Sequence, residues 1–244
     1  MFCQLKAYSL QPKSPHFSQQ FFRYLGFLLK MINMDLADIR KDYRLKAMDE
    51  TGMDHNPMHQ FQLWLNEALE AKVNEATSMV LATASQNGVP SARIVLLKAF
   101  SEKGFGFFTN YASRKGEEME ANQQVALLFH WPELERQVRI EGIAGRTSLA
   151  VSDEYFNSRP YESRLSAVIS KQSQVVPDRE YLEMLWAGQQ GQSFAQGINR
   201  PSYWGGYVVE PLSIEFWQGR PNRLHDRILF SREGENWLIS RLAP

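Results

Sequence analysis

The stretch NRLHDR (222–227) places Arg223, His225 and Arg227 within five residues, between the apolar runs SIEFW (213–217) and ILF (228–230). In an extended segment alternate residues share a face, so these three point the same way. Three potential cations on one face repel one another unless an anionic or electron-rich ligand sits opposite. The competing reading is a solvated edge strand whose charge discourages aggregation. A second cluster lies in TNYASRKGEE (109–118). Ser113 reads as a helix N-cap, which puts Arg114 and Lys115 in the first helical turn. The helix dipole already makes that end positive, so cations are unfavourable there. A bound phosphate resolves the conflict, because free backbone N–H groups and two cations suit an anion. An ordinary exposed turn is the alternative.

Three further groups carry chemistry only in company. RIVLLK (93–98) encloses four apolar residues between Arg93 and Lys98. Positions five apart face opposite sides of an ideal strand, so the two cations share a ligand only through a bulge, a strand end or a long ligand. A buried strand with snorkelling ends is the simpler reading. In EYFNSRPYES (154–163), Tyr155 and Arg159 lie one turn apart if both are helical, and Ser163 follows after Pro160. A phenol, a guanidinium and a hydroxyl then converge on a second anion, or else mark a surface helix end. Gln137 in ERQVRIEG (135–142) offers an amide that both donates and accepts, suited to a heterocycle edge or to solvent. SKQS (170–173) alone reads as a loop.

The elements that must position these groups are mostly strands. SMVLATA (78–84) and SARIVLLKAF (91–100) flank SQNGVP, whose Asn-Gly is a hairpin signal. FGFFTN (105–110), VALLFHW (125–131) and RQVRIEGIAGR (136–146) continue the series, with a helix over 113–123 between them. Two or three helices fill 149–190. The chain then returns to strands in YWGGYVVE, LSIEFWQG, RILFSRE and NWLISRL. Near the start, residues 34–48 show helical spacing of Leu36, Ile39 and Tyr43. Asn56 and Pro57 open a helix whose apolar stripe runs through Phe61, Trp64, Leu65, Ala68 and Leu69. Many strands joined by short turns predict a mainly β protein with peripheral helices (α+β), an antiparallel barrel or sandwich. No βαβ alternation and no GxGxxG occur, which disfavours a doubly wound nucleotide fold.

The 244 residues carry 27 basic and 27 acidic side chains, so no global field draws the chain to nucleic acid or an anionic membrane. An anion must be bound by a local cluster. One cysteine, Cys3, excludes a disulfide framework within one chain, and the five histidines lack metal-site spacing. FFRYLGFLLKMI (21–32) is too short to span a membrane and has no cleavage site after it. Residues 1–33 read as an extension upstream of the true start or a disordered tail, with a short amphipathic docking segment as the alternative, and 34–244 as a single domain. The residues by themselves lead to a mostly β protein that binds one or more phosphorylated small molecules.

Taken in order, RIVLLK, TNYASRK, LERQVRIEG, YFNSRP, SKQS, PSYWGG, IEFWQG, RLHDR and the terminal WLISRLAP resemble the pyridoxine (pyridoxamine) 5′-phosphate oxidase family over about residues 34–244. The resemblance implies a split β-barrel that binds FMN at the interface of a cytoplasmic homodimer. It implies oxidation of pyridoxamine or pyridoxine 5′-phosphate to pyridoxal 5′-phosphate, with hydride passing from the C4′ carbon to the flavin and O2 reduced to hydrogen peroxide. On matching positions, Arg93, Ile94, Val95, Leu96, Leu97, Lys98, Phe108, Thr109, Arg114, Lys115, Gln137, Gln172, Ser173, Trp217 and Arg227 fall at FMN contacts. Relatives often carry tyrosine where Phe108 stands, which removes a hydroxyl here. Lys98, Tyr155, Arg159 and Ser163 match the substrate-phosphate cluster. Arg223, Leu224 and His225 match the segment over the substrate ring, with Arg223 and His225 as the catalytic pair. Arg40, Lys41, Asp42 and Tyr43 match a segment that covers the site. A split-barrel flavin reductase and a non-catalytic FMN or pyridoxal-phosphate carrier are the alternatives; neither needs the substrate cluster.

Overall fold

Leu97 and Lys98 separate β2 (Pro90–Leu96) from β3 (Ala99–Ser101), and this two-residue link explains the architecture. The computed structural model describes residues 42–244, apart from the side chains of 191–196. Its strands form one antiparallel sheet in the order β2-β1-β5-β6-β7-β4-β3, with β8 added to β7 and β9 to β8. β2 and β3 lie at opposite ends of that path yet are consecutive in the chain. The sheet therefore curls until its ends meet, which is the split β-barrel. The link is tied to both sides: Leu97 N donates to Thr77 O at 2.9 Å and Lys98 N to Gly106 O at 2.8 Å.

The remaining strands are β1 (Ser78–Ala84), β4 (Gly104–Asn110), β5 (Gln124–Trp131), β6 (Arg136–Arg146), β7 (Trp204–Gln218), β8 (Asp226–Glu233) and β9 (Asn236–Arg241). β1 alternates half-buried and buried side chains, as one face packs on the core. β6 and β7 form the longest ladder, with a register shift between Glu141 and Gly142. A Cβ on Gly142 would meet Glu210 O at 2.2 Å, so this close approach requires glycine. The β1–β2 hairpin turns at the Asn-Gly pair, where Gly88 takes φ 77°.

Five helices of the described residues cover this barrel: α1 (Pro57–Glu70), α2 (Arg114–Ala121), α3 (Leu149–Ser158), α4 (Tyr161–Ile169) and α5 (Arg179–Gln196). Asn56 caps α1 by accepting from Met58 N at 2.8 Å, with Pro57 at the first helical position. Of the stripe read from the sequence, Phe61, Trp64 and Ala68 face inward, Leu65 is half-buried, and Leu69 is exposed at the end of the helix. Phe61 is fully buried, with ring centroids 4.9–5.2 Å from Phe100, Phe105 and Phe129, and Trp64 meets Phe216 at 5.1 Å. Burying each such ring stabilises the fold by about 1.5–3 kcal/mol.

Four sequence expectations need correction. Residues 42–48 are not helical; the chain there runs irregularly because its N–H groups bond to distant carboxylates. Arg44 N and Leu45 N donate to Glu135 Oε2 (2.8 and 3.1 Å), and Met48 N donates to Asp226 Oδ2 (3.0 Å). Residues 34–41, with Arg40 and Lys41, and the extension 1–33 lie outside the described residues. The strand expected over 91–100 breaks at Leu97 and Lys98. YWGGYVVE and LSIEFWQG are one strand: Pro211 pairs with Gly142, Ser213 with Glu141, and the bulge takes up Leu212 between them. Finally, Pro221–Arg223 forms a 3-10 turn and extended chain resumes only at Asp226, so Arg223, His225 and Arg227 do not form one strand face.

Candidate functional site

A cavity of about 580 Å³ opens where the β2–β3 link, β4, α2, α3 and α4 converge. Of the residues singled out in the sequence, Ile94, Val95, Leu96, Lys98, Phe108, Thr109, Lys115, Tyr155, Arg159, Ser163 and Gln172 line it. The break at Leu97 and Lys98 answers the spacing problem of RIVLLK. Arg93 remains in the regular strand, whereas Lys98 follows the kink into the cavity.

One wall is aromatic. Phe108 and Tyr155 stack at 3.9 Å between centroids and 17° between planes, and Trp204 lies parallel to both, 5.7 Å from Phe108. The guanidinium of Arg159 sits 4.7 Å from the Trp204 ring. Arg159 is the C-cap of α3 rather than part of it, with φ −74° and ψ 147°. It still reaches the same cavity as Tyr155 because Pro160 turns the chain there. Arg159 Nη1 is buried without a hydrogen-bond partner among the described residues. Burial lowers the Arg159 pKa and raises that of Tyr155, each shift opposed by the other's charge. A half-buried guanidinium with one buried, unmatched donor is complementary to an anion.

The start of α2 contributes Lys115 to the cavity. Ser113 caps the helix as expected, accepting from Gly116 N. Lys115 Nζ donates to Ser113 Oγ at 3.0 Å and to Gln172 Oε1 at 2.8 Å. Burial and then the charge of Arg93 push Lys115 down to about 8. Lys115 is thus disfavoured as a cation, through burial and Arg93 rather than through the helix dipole invoked from the sequence. At Arg114 the conflict read from the sequence is relieved within the chain, since Arg114 Nε donates to Glu118 Oε1 at 2.8 Å. Arg93 also turns to protein partners: Leu81 O, Thr83 Oγ1, Ser91 Oγ and Glu118 Oε2. Arg93, Arg114, Leu97 and Ser173 do not line the cavity. Ser173 adopts φ 73° in the loop beside Gln172.

The remaining predicted residues gather elsewhere. Gln137, Trp217 and Arg227 are direct cross-strand partners on β6, β7 and β8, so they form a row on one face. Trp217 lies 4.6 Å from the His225 ring, and Tyr43 meets both rings at 5.7 Å. Arg227 Nε donates to buried Glu215 Oε1 at 2.7 Å, and its Nη1 to Ala243 O at 2.8 Å. His225 Nδ1 accepts from Arg220 N at 3.1 Å, which leaves its proton on Nε2 in the neutral ring. Burial first, then the charge of Arg223, lower the His225 pKa, against the pull of Asp226. Asn222 and Arg223 take φ of 58° and 60°. Two consecutive left-handed non-glycine residues cost roughly 1–2 kcal/mol each, a strain that tends to persist where a turn has a function. Leu224 and Arg223 are exposed, and Asp42 is too.

These two groups belong to distant parts of one strand. Phe108 pairs with Gly206, while Gln137 and Arg227 pair with Trp217. Eleven residues of β7 separate those levels, about 35 Å along the strand. Sequence reasoning missed Asn110, Ser166, Ser170 and the role of Trp204 in the cavity. PSYWGG carried Trp204 in plain sight, but a tryptophan beside two glycines says nothing of its stacking partners.

A family model described as pyridoxamine 5′-phosphate oxidase matches residues 65–187, and one described as the pyridoxine 5′-phosphate oxidase C-terminal dimerisation region matches 204–244. The chain is 50% identical over 213 residues to a pyridoxine/pyridoxamine 5′-phosphate oxidase of Cyanothece sp., covering 87% of this chain and all of that one. It is 53% identical over 210 residues to the enzyme of the same name from Rubrobacter xylanophilus, covering 86% and 97%. Among solved structures it is similar to PhzG from Burkholderia lata in complex with tetrahydrophenazine-1-carboxylic acid, with TM-score 0.78 and 28% identity over 84% of this chain and 100% of that one. With the order of its motifs, the curled sheet and these relatives in agreement, the chain belongs to the pyridoxine/pyridoxamine 5′-phosphate oxidase family.

Proposed function

We propose that this protein is a homodimeric, FMN-dependent oxidase that converts pyridoxamine and pyridoxine 5′-phosphate to pyridoxal 5′-phosphate, with O2 as acceptor and hydrogen peroxide as product. The observation that carries the reading is the cavity itself: Lys98, Lys115 and the unmatched Arg159 Nη1 surround a flat aromatic wall. That donor set fits two phosphate groups and planar rings. Lys115 at the helix start suits the cofactor phosphate. Lys98, Tyr155, Arg159 and Ser163 suit the substrate phosphate, which anchors the substrate far from its reacting carbon.

FMN, when bound, supplies the two-electron acceptor. The chain's own residues hold and orient. Gln137, Trp217 and Arg227 of one copy complete the flavin site begun by the cavity of the other, since about 35 Å of β7 keeps the two groups apart within one chain. The match of residues 204–244 to a dimerisation region supports that arrangement. Arg223 and His225 then face the substrate ring. With Nδ1 accepting from Arg220 N, His225 presents a donor at Nε2, so it orients the ring by hydrogen bonding rather than by accepting a proton there. The single cysteine fits a reducing compartment, and we assign the activity to the cytoplasm.

The test is purified protein with FMN, pyridoxamine 5′-phosphate and O2, following pyridoxal 5′-phosphate and peroxide. Turnover of both is expected. FMN binding without either product would reject the oxidase in favour of a carrier. The similarity to PhzG makes a reduced phenazine carboxylic acid the necessary second substrate to assay. It has no phosphate for Arg159, so the phosphorylated substrate is expected to be the one turned over.

A further inference from the structure

We propose that Glu118 is a positioning residue, which holds Arg93 and Arg114 in place for a phosphate monoester bound beside Lys115. The inference rests on the FMN reading above and assigns a task to a residue outside the cavity. Glu118 is only 7% exposed. Its Oε1 accepts from Arg114 Nε at 2.8 Å. Its Oε2 accepts from Thr83 Oγ1 and Ser91 Oγ, both at 2.5 Å, and from Arg93 Nη2 at 3.2 Å. The two hydroxyls work as relays. Thr83 Oγ1 and Ser91 Oγ each accept from Arg93 while donating to Glu118. One carboxylate thus organises two guanidinium groups from β2 and α2, through hydroxyls on β1 and β2.

Packing alone does not call for this arrangement, because a buried carboxylate is costly and an apolar side chain fills the same space at less cost. The charges explain it better. Arg93, Arg114 and Lys115 are three cations around the first turn of α2, and Arg93 already destabilises protonated Lys115. Glu118 binds both guanidinium groups and exposed Glu117 lies in the same turn, so the three cations keep a net positive charge around Lys115, which suits a phosphate. Glu118 also fixes Arg93 on a sheet-edge strand, where an arginine would otherwise swing into solvent. Removing the carboxylate frees both guanidinium groups to move apart, so the anion site loses its geometry while the barrel core is untouched.

The experiment compares FMN with riboflavin, which lacks the phosphate, by flavin fluorescence titration of the full-length chain. Wild type is expected to prefer FMN strongly. In Glu118→Gln, FMN affinity is expected to fall about tenfold with riboflavin affinity unchanged, since only the charge-assisted phosphate contacts are disturbed. An equal fall for both ligands, or no fall for FMN, overturns the proposal and makes Glu118 a packing residue or a bystander. A wild type that binds the two flavins equally overturns the phosphate site itself, and this inference with it. If Glu118→Gln fails to give the wild-type circular dichroism spectrum, Ser91→Ala carries the same comparison. It removes one relay from a half-buried position, and an FMN-selective loss of about threefold is expected. A loss shared by riboflavin, or none, overturns the proposal.

Discussion

Lys115 donates to two neutral oxygens, Ser113 Oγ and Gln172 Oε1, and its burial beside Arg93 sets its titration. Its folded pKa of about 8 lies below the ordinary lysine value of 10.5 because burial and Arg93 both oppose its charge. The sign is then determined. The folded state binds fewer protons than the unfolded state between those two values, so protonated Lys115 lowers stability below about pH 8, and the penalty vanishes above 10.5. An anion at the α2 N-terminus reverses this by favouring the charged form. FMN binding at about pH 9 is therefore expected to take up protons. Calorimetric titration in buffers of different ionisation enthalpy measures that uptake. Binding heats that do not change with buffer would separate Lys115 from the phosphate, and Lys115→Met should abolish the uptake.

At the scale of elements, the start of α2 is one joint of several groups. Ser113 is fully buried; its Oγ donates to Asn110 O at 2.6 Å and accepts from Lys115 Nζ at 3.0 Å and, at the limit of reach, from Gly116 N at 3.4 Å. Ser113→Ala is expected to cost about 1–2 kcal/mol in urea unfolding and to weaken FMN binding by freeing Lys115. A stability change within about 0.5 kcal/mol would show that the cap is dispensable. This joint was legible in the sequence because capping is local: Ser113, Arg114 and Lys115 are adjacent, as are Asn56 and Pro57. The Asn-Gly hairpin was legible for the same reason. The break at Leu97 and Lys98 was not, since it depends on Thr77 and Gly106 in other strands. Nor was the course of residues 42–48, whose hydrogen-bond partners Glu135 and Asp226 lie about 90 and 178 positions away. The 3-10 turn at 221–223 was not foreseen either; it runs through Arg223, Leu224 after it is not extended, and the strand begins only at Asp226, which removes the shared face of Arg223 and His225.

For the whole molecule, alternation and turn spacing narrowed the fold to an antiparallel barrel or sandwich; the family resemblance pointed to the split barrel, and neither gave the strand order. β6 and β7 are neighbours although three helices intervene between them in the chain. The same distance hides half of the site. No local pattern reveals that Phe108 and Trp217 attach to opposite ends of β7. That separation has a genetic consequence on the two-copy reading. Arg159→Ala damages one half of each site and Trp217→Ala the other half, so each variant alone is expected to be inactive. In a mixed dimer, both lesions fall in one site and the other is intact. Random reassortment makes half the dimers mixed, with one good site in two, so about a quarter of wild-type activity is expected from two inactive proteins. Co-expression of the two variants, against each alone, measures it; a mixture as inactive as its parts would mean that each chain builds its site by itself. Two damaged alleles of this gene would then complement each other according to which end of one strand each has struck.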